Sequence, residues 1–206
     1  MNAFPDGFRY MPGRFDDEAC QMLRGVLRDV IATAPLFVPT IPRTGKPFGV
    51  RMTNCGPLGW VSDKERGYRY QPTHPVTGLP WPSMPAILLE LWAELADYPA
   101  PPEACLVNYY GTGIKMGSHI DADEQDFRAP VISISLGDDA TFHVGGLARS
   151  DPKQRMRLRS GDVVVLGAAA RKAYHGIDRV FAGTSTLLPE GGRINLTLRR
   201  VTIPTK

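Results

Sequence analysis

Apolar residues recur at helical spacing near the start of the chain. Ala19, Met22, Leu23, Val26, Leu27, Val30 and Ile31 fall three and four apart, the stripe that one helix face presents to a core. Asp16 precedes the stripe as an N-cap and Pro35 follows it as a stop, so a helix is predicted over 15–34. A second stripe, Leu88, Leu91, Trp92 and Leu95, predicts a helix over 84–98 with Ser83 as its cap. From residue 104 onward the period changes. Short β-prone runs at 105–110, 131–136, 141–144, 156–158, 163–166, 173–177 and 194–201 are separated by Gly, Pro and Asp, with no helical pattern between them. That density of strands points to a mainly β fold with two flanking helices, a sandwich or jelly roll over 104–201, and not to a parallel sheet. Between the helices, residues 39–82 are rich in Pro, Gly, Thr and aromatics without a clear period, as expected of a flap made of turns and short strands.

A chain of 206 residues suits a single domain, 1–206, and its 21 Gly and 19 Pro favour turns and short strands over a helical bundle. Cys20, Cys55 and Cys105 are odd in number and far apart, so neither a disulfide framework nor a zinc knuckle is indicated. The first eleven residues hold no apolar leader, and the longest small-apolar stretch, 163–170, is far below the ~20 residues of a membrane span. A soluble, cytoplasmic protein in a reducing compartment, without a membrane partner, is expected. The net charge of +3 conceals an uneven distribution. Residues 43–69 carry six basic and two acidic side chains, residues 149–172 carry seven and two, and residues 121–139 between them sum to −5. The basic stretches suit a phosphate backbone, although solvated faces would look the same.

The sharpest chemical signal is Ser118-His119-Ile120-Asp121, in which His119 and Asp121 project from one side of an extended segment. With His175, in Tyr174-His175-Gly176, they supply the two imidazoles and one carboxylate that hold non-haem Fe(II) and leave coordination positions open. A His-x-Asp pair alone is weak evidence, because such pairs also occur as simple hydrogen bonds. The last predicted strand strengthens it. Alternation along 193–199 puts Ile194, Leu196 and Leu198 on one face and Arg193, Asn195, Thr197 and Arg199 on the other. If that polar face looks into a barrel, its two guanidiniums need anionic partners, and a dicarboxylic 2-oxo acid offers one carboxylate to each. Asn108 and Tyr110, on one face of the strand before His119, add an amide and a phenol.

These residues bring a family resemblance into view. In one order the chain carries Met52-Thr53-Asn54-Cys55-Gly56-Pro57-Leu58-Gly59-Trp60, Ala104-Cys105-Leu106-Val107-Asn108-Tyr109-Tyr110, His119-Ile120-Asp121-Ala122-Asp123, Tyr174-His175-Gly176-Ile177 and Arg193-Ile194-Asn195-Leu196-Thr197-Leu198-Arg199. From the first helix to Arg200 it resembles the AlkB family of Fe(II)/2-oxoglutarate-dependent dioxygenases, close to its bacterial DNA-repair prototype. The resemblance implies a double-stranded β-helix, or jelly roll, with an N-terminal nucleotide-recognition lid over 39–82. It implies His119, Asp121 and His175 as catalytic iron ligands, and Asn108, Tyr110, Arg193, Asn195 and Arg199 as residues that hold 2-oxoglutarate. Trp60, Tyr68, Tyr70, Asp123 and Arg149 match substrate-contacting positions. Leu166 departs from the prototype, which has Trp there, and the 61–66 segment is one residue longer.

The activity so implied is oxidative demethylation of 1-methyladenine and 3-methylcytosine in single- or double-stranded DNA. It releases formaldehyde, uses O2, and is coupled to decarboxylation of 2-oxoglutarate to succinate and CO2. RNA or tRNA bases are the alternative substrate, since nothing in the chain obviously reads a 2′-hydroxyl. Trp60 and Tyr68 offer π-faces to a flipped base, with His175 as the opposite wall, and Asp123 offers a carboxylate to a cationic methylated base. A zinc hydrolase built on the same triad would leave Arg193 and Arg199 without a role, and an intact triad argues against a binding module without turnover. A monomer without an obligate protein partner is expected.

Overall fold

The computed structural model describes residues 4–204. Its first strand, β1 (Phe8–Met11), is followed by α1 (Asp17–Thr33), where Asp16 Oδ1 accepts from the Ala19 amide, a cap worth about 1 kcal/mol. The buried face of α1 is Cys20, Leu23, Leu27 and Val30; Met22, expected in the stripe, is 56% exposed. The 39–82 segment does not all lie outside the core. Its first strand, β2 (Arg51–Cys55), pairs with β5 (Ala104–Tyr110), while β3 (Gly59–Asp63) and β4 (Gly67–Gln71) form a separate hairpin. Helix α2 (Ala86–Leu95) buries the predicted Leu88, Leu91, Trp92 and Leu95. It starts later than expected and Ser83 does not cap it: Pro85 holds the N-cap position, and Met84 before it is biased away from helical backbone.

Eight strands follow from residue 104: β5, β6 (Met116–His119), β7 (Val131–Gly137), β8 (Ala140–Val144), β9 (Gln154–Leu158), β10 (Val163–Leu166), β11 (His175–Val180) and β12 (Arg193–Arg199). They divide between a six-stranded sheet, ordered β1-β10-β7-β12-β5-β2, and a four-stranded sheet, ordered β6-β11-β8-β9. Parity along the large sheet explains the layers. Ile132, Ile134 and Leu136 of β7 with Ile194, Leu196 and Leu198 of β12 pack in one cluster with α1 and α2. Val131, Val164 and Leu166 pack instead with Phe142, Val144 and Ile177 of the small sheet. Two antiparallel sheets facing each other, with helices on the outer side of one, make the jelly roll the sequence leads one to expect. No helix among the described residues is long and apolar enough to cross a membrane.

His175 opens β11 instead of lying inside a strand over 173–177. The residues before it form a short 3₁₀ turn, Ala168–Lys172, drawn inward by Arg171, whose guanidinium donates to Ala129 O at 3.1 Å and Asp121 O at 2.6 Å.

Candidate active site

A cavity of about 400 Å³ opens between the two sheets, lined on the small-sheet side by His119, Asp121 and His175 and on the large-sheet side by Asn108, Tyr110, Arg193, Asn195 and Arg199. Residues scattered from Asn108 to Arg199 meet here because strand register brings them together: His175 pairs directly with His119, and Asn195 with Asn108.

The geometry of the first three suits a metal. Asp121 Oδ1 lies 3.6 Å from His119 Nε2 and Asp121 Oδ2 lies 3.5 Å from His175 Nε2, separations that one ion with ~2.1 Å bonds can bridge. Each imidazole donates Nδ1–H to a backbone carbonyl, His119 to Gly117 O at 2.9 Å and His175 to Ala173 O at 3.0 Å. Those bonds fix the tautomer and leave both Nε2 lone pairs for an ion. Desolvation in the cavity wall, with His175 close by, pushes the His119 pKa down and favours its neutral, ligating form. Burial alone would raise the pKa of Asp121, but Arg199 outweighs it and holds the carboxyl well below its usual range. Arg199 Nη2 is 2.7 Å from Asp121 Oδ1.

The opposite wall suits an anion. Arg193 is 1% exposed, Nη2 donates to Ser135 Oγ at 2.9 Å, and Nε and Nη1 are buried without a partner. Burial pushes its pKa down, the sign of a guanidinium without a carboxylate beside it. A buried guanidinium with two nitrogens lacking partners fits one carboxylate of 2-oxoglutarate, bound along an edge that includes one of them. Tyr110 lies under the Arg193 guanidinium, 5.4 Å from ring centroid to Cζ, and burial keeps its phenol protonated by raising its pKa. Asn195 is fixed more firmly than the sequence reveals: its Nδ2 donates to Ser133 Oγ and Ile134 O, and its Oδ1 accepts from Thr197. Arg199 likewise is engaged by the protein, between Asp121 and Glu124, with only Nε left buried and unpartnered.

Above the triad stands the β3–β4 hairpin. Trp60 and Tyr68 both line the cavity and stack on each other, with centroids 5.6 Å apart and planes at 21°. Trp60 Nε1 donates to Asp123 Oδ2 at 2.7 Å, which sets Asp123, two residues beyond Asp121, at the cavity mouth. Two of the residues matched to substrate contacts stand outside the cavity. Tyr70 does not line the cavity; its hydroxyl donates to Glu124, because cross-strand pairing with Trp60 places it at the root of the hairpin beside the Arg199 cluster. Arg149 also stands outside the cavity, exposed on the loop after β8 with its guanidinium over the Tyr174 ring.

Glu124 and Arg171, not among the residues expected at the site, also belong to it. Both are buried, and Arg171 Nη2 donates to Glu124 Oε2 at 2.7 Å while Arg199 Nη1 donates to Oε1 at 2.8 Å. An Arg directly after three alanines was the available signal, since a charge inside an apolar run needs a partner. The finding also trims the 149–172 basic stretch: Arg171 is internal, Arg155 pairs with Asp178, and Arg157 pairs with Asp139.

Comparison with known proteins agrees with this geometry. Residues 7–199 match the model of the 2OG-Fe(II) oxygenase superfamily. The chain is 53% identical to an alpha-ketoglutarate-dependent dioxygenase AlkB homolog of Caulobacter vibrioides, over 94% of this chain and 87% of that one. It is 44% identical to the alpha-ketoglutarate-dependent dioxygenase AlkB of Escherichia coli, over 91% and 87%. Among solved structures, that of OsALKBH1 superposes with a TM-score of 0.76 at 26% identity, covering 97% of this chain and all of that one. At such identity over nine-tenths of its length, and with a pocket that fits both iron and 2-oxoglutarate, the chain belongs to the AlkB family of Fe(II)/2-oxoglutarate-dependent dioxygenases.

Proposed function

We propose that this protein removes methyl groups from 1-methyladenine and 3-methylcytosine in DNA. The observation that carries the reading is the placement of the Trp60–Tyr68 pair and the Asp123 carboxylate over the His119–Asp121–His175 cluster in one cavity. With Fe(II) held by that cluster, O2 and 2-oxoglutarate supply oxidation of the N-methyl carbon, giving succinate, CO2 and a hydroxymethyl group that leaves the base as formaldehyde.

The protein's part is binding, orientation and exclusion of water. Arg193, whose Nε and Nη1 have no partner within the protein, takes the distal carboxylate of 2-oxoglutarate on one edge of its guanidinium, and Asn108 and Tyr110 border the same channel. Arg199 holds Asp121 ionised and aimed into the cavity. A base sandwiched between rings needs about 7 Å, two van der Waals contacts, so the 5.6 Å between Trp60 and Tyr68 admits nothing between them. The base therefore stacks on the face of the aromatic pair, with the His175 side of the cavity as its other wall. Asp123 has Oδ2 on Trp60, and Oδ1 accepts from the exocyclic amine. Its negative charge favours methylated bases that carry a positive charge over undamaged bases that do not. Arg149 and the exposed residues of 43–66 lie outside the cavity, where the phosphates of a flipped strand would run.

The test is incubation of the Fe(II)-loaded protein with 2-oxoglutarate and a 3-methylcytosine oligonucleotide, alongside the matched RNA. Formaldehyde release and loss of one methylene mass from the DNA are expected; no release, or turnover on RNA alone, would overturn the reading.

A further inference from the structure

Behind the small sheet, on the face opposite the cavity, a chain of polar side chains crosses all four strands. Ser118 of β6 donates to His143 Nε2 of β8 at 2.7 Å; His143 Nδ1 donates to Asp178 Oδ1 of β11 at 2.8 Å; Asp178 Oδ2 accepts from Arg155 Nε of β9 at 2.8 Å. A carboxylate can only accept, so His143 carries a proton on Nδ1, and in the neutral ring its Nε2 accepts from the Ser118 hydroxyl. His143 is 3% exposed and has no role in the reaction as described.

Strand alternation places this chain directly behind the metal site. His119 lines the cavity and its neighbour Ser118 does not; on β11 His175 lines it, while the Cβ direction of the next residue, Gly176, leads toward His143. The His143 ring fills the space beside Gly176, where an added Cβ would come within 2.9 Å of His143 Cε1 and 2.5 Å of Met116 O, so only glycine lets the three strands approach this closely. Asp178 is the extra residue of a bulge between Ile177 and Arg179, which turns its carboxylate toward His143. One imidazole thus ties the strand that carries His119 to the strand that carries His175.

We propose that His143, with Ser118 and Asp178, is a positioning residue that sets the separation of the two histidine ligands and thereby the affinity of the metal site. The inference rests on the reading of His119, Asp121 and His175 as that site. Contacts behind metal ligands are worth tenfold to a hundredfold in affinity where they hold the ligand geometry.

The probe is Co(II), titrated in competition with a chromophoric chelator, with its ligand-field absorption recorded on the folded protein at low temperature. His143→Leu is expected to weaken Co(II) binding by about tenfold or more and to shift the absorption bands. Ser118→Ala, which removes one hydrogen bond and no bulk, keeps the test open if His143→Leu does not fold, and should move affinity and bands in the same direction. His143→Gln, which retains an acceptor for Ser118, should recover most of the loss. Wild-type affinity and spectrum in Ser118→Ala and in folded His143→Leu, even with a lowered Tm, would overturn the proposal and leave the chain a merely structural tie. Co(II) binding that survives Asp121→Ala would overturn the assignment of the metal site, and this inference with it.

Discussion

Arg193 is a residue whose two roles pull in opposite directions. In the protein alone it is a guanidinium at 1% exposure with one hydroxyl for a partner and two N–H groups left over, a burial that costs free energy. That cost is offset when a carboxylate arrives. Arg193→Met should therefore leave Tm of the protein without 2-oxoglutarate unchanged or raised, by thermal unfolding, while the KM for 2-oxoglutarate rises at least about 30-fold, the equivalent of ~2 kcal/mol for one buried charged pair. A fall in Tm with an unchanged KM would place the anion elsewhere. Asp123 allows a second test at this scale. Asp123→Asn keeps an acceptor for Trp60 Nε1 but removes the charge, so the ratio of kcat/KM for cationic 3-methylcytosine over neutral 3-methylthymine should narrow by about fivefold or more, as expected if the charge contributes ~1 kcal/mol or more at the cavity mouth.

At the scale of elements, what the sequence made legible follows from period. The parity of β12 was readable because a strand with one face on the helices and the other on a cavity must alternate, and Arg193, Asn195, Thr197 and Arg199 do line that cavity. Helix α1 was readable to within a small rotation: the stripe was right at Leu23, Leu27 and Val30, but Cys20 took the place assigned to Met22. The β3–β4 hairpin had no such signal, because it stands apart from both sheets and its second strand, Gly67–Gln71, has no fully buried residue. What anchors it comes from distant chain: Trp60 on Asp123, and Tyr70 on Glu124. Tyr70 could not be placed from spacing alone, since its partner is 54 residues away. With that contact known, Tyr70→Phe should loosen the hairpin without touching the cavity. Amide hydrogen exchange over 59–71 is expected to quicken several-fold, with the KM for the oligonucleotide raised and that for 2-oxoglutarate unchanged. Tyr68→Ala, which removes part of the stacking surface, should raise the oligonucleotide KM with little change in exchange.

For the molecule as a whole, the buried charges predict how stability depends on pH. Glu124 is enclosed among Arg171, Arg199 and Tyr70; burial would raise its pKa, but Arg199 and Arg171 prevail and lower it. Asp178 is also lowered, burial opposing Arg155 and His143, and the paired Arg128 lowers Asp126 through its hydrogen bonds. A carboxylate with a depressed folded pKa stabilises the fold above its unfolded value, near 4, and that contribution is lost as pH falls through the folded value. Tyr10 of β1 acts at the other end: burial and its 2.8 Å hydrogen bond to Asp162 push the phenol up to about 12, so its contribution is complete below pH 10 and lost between 10 and 12. Tm measured in the presence of a chelator should accordingly form a plateau with an acid limb below about pH 4–5 and an alkaline limb above about pH 10. Glu124→Gln should lower the plateau, on the order of 10 °C for a buried pair left with an unmatched guanidinium, and flatten the acid limb, because the variant has no carboxylate there to protonate. Tyr10→Phe should remove part of the alkaline limb and leave the acid one intact. A Glu124→Gln curve parallel to wild type through the acid limb would mean that this charge cluster, which joins the hairpin, the ligand Asp121 and the last strand, is not ionised in the folded protein.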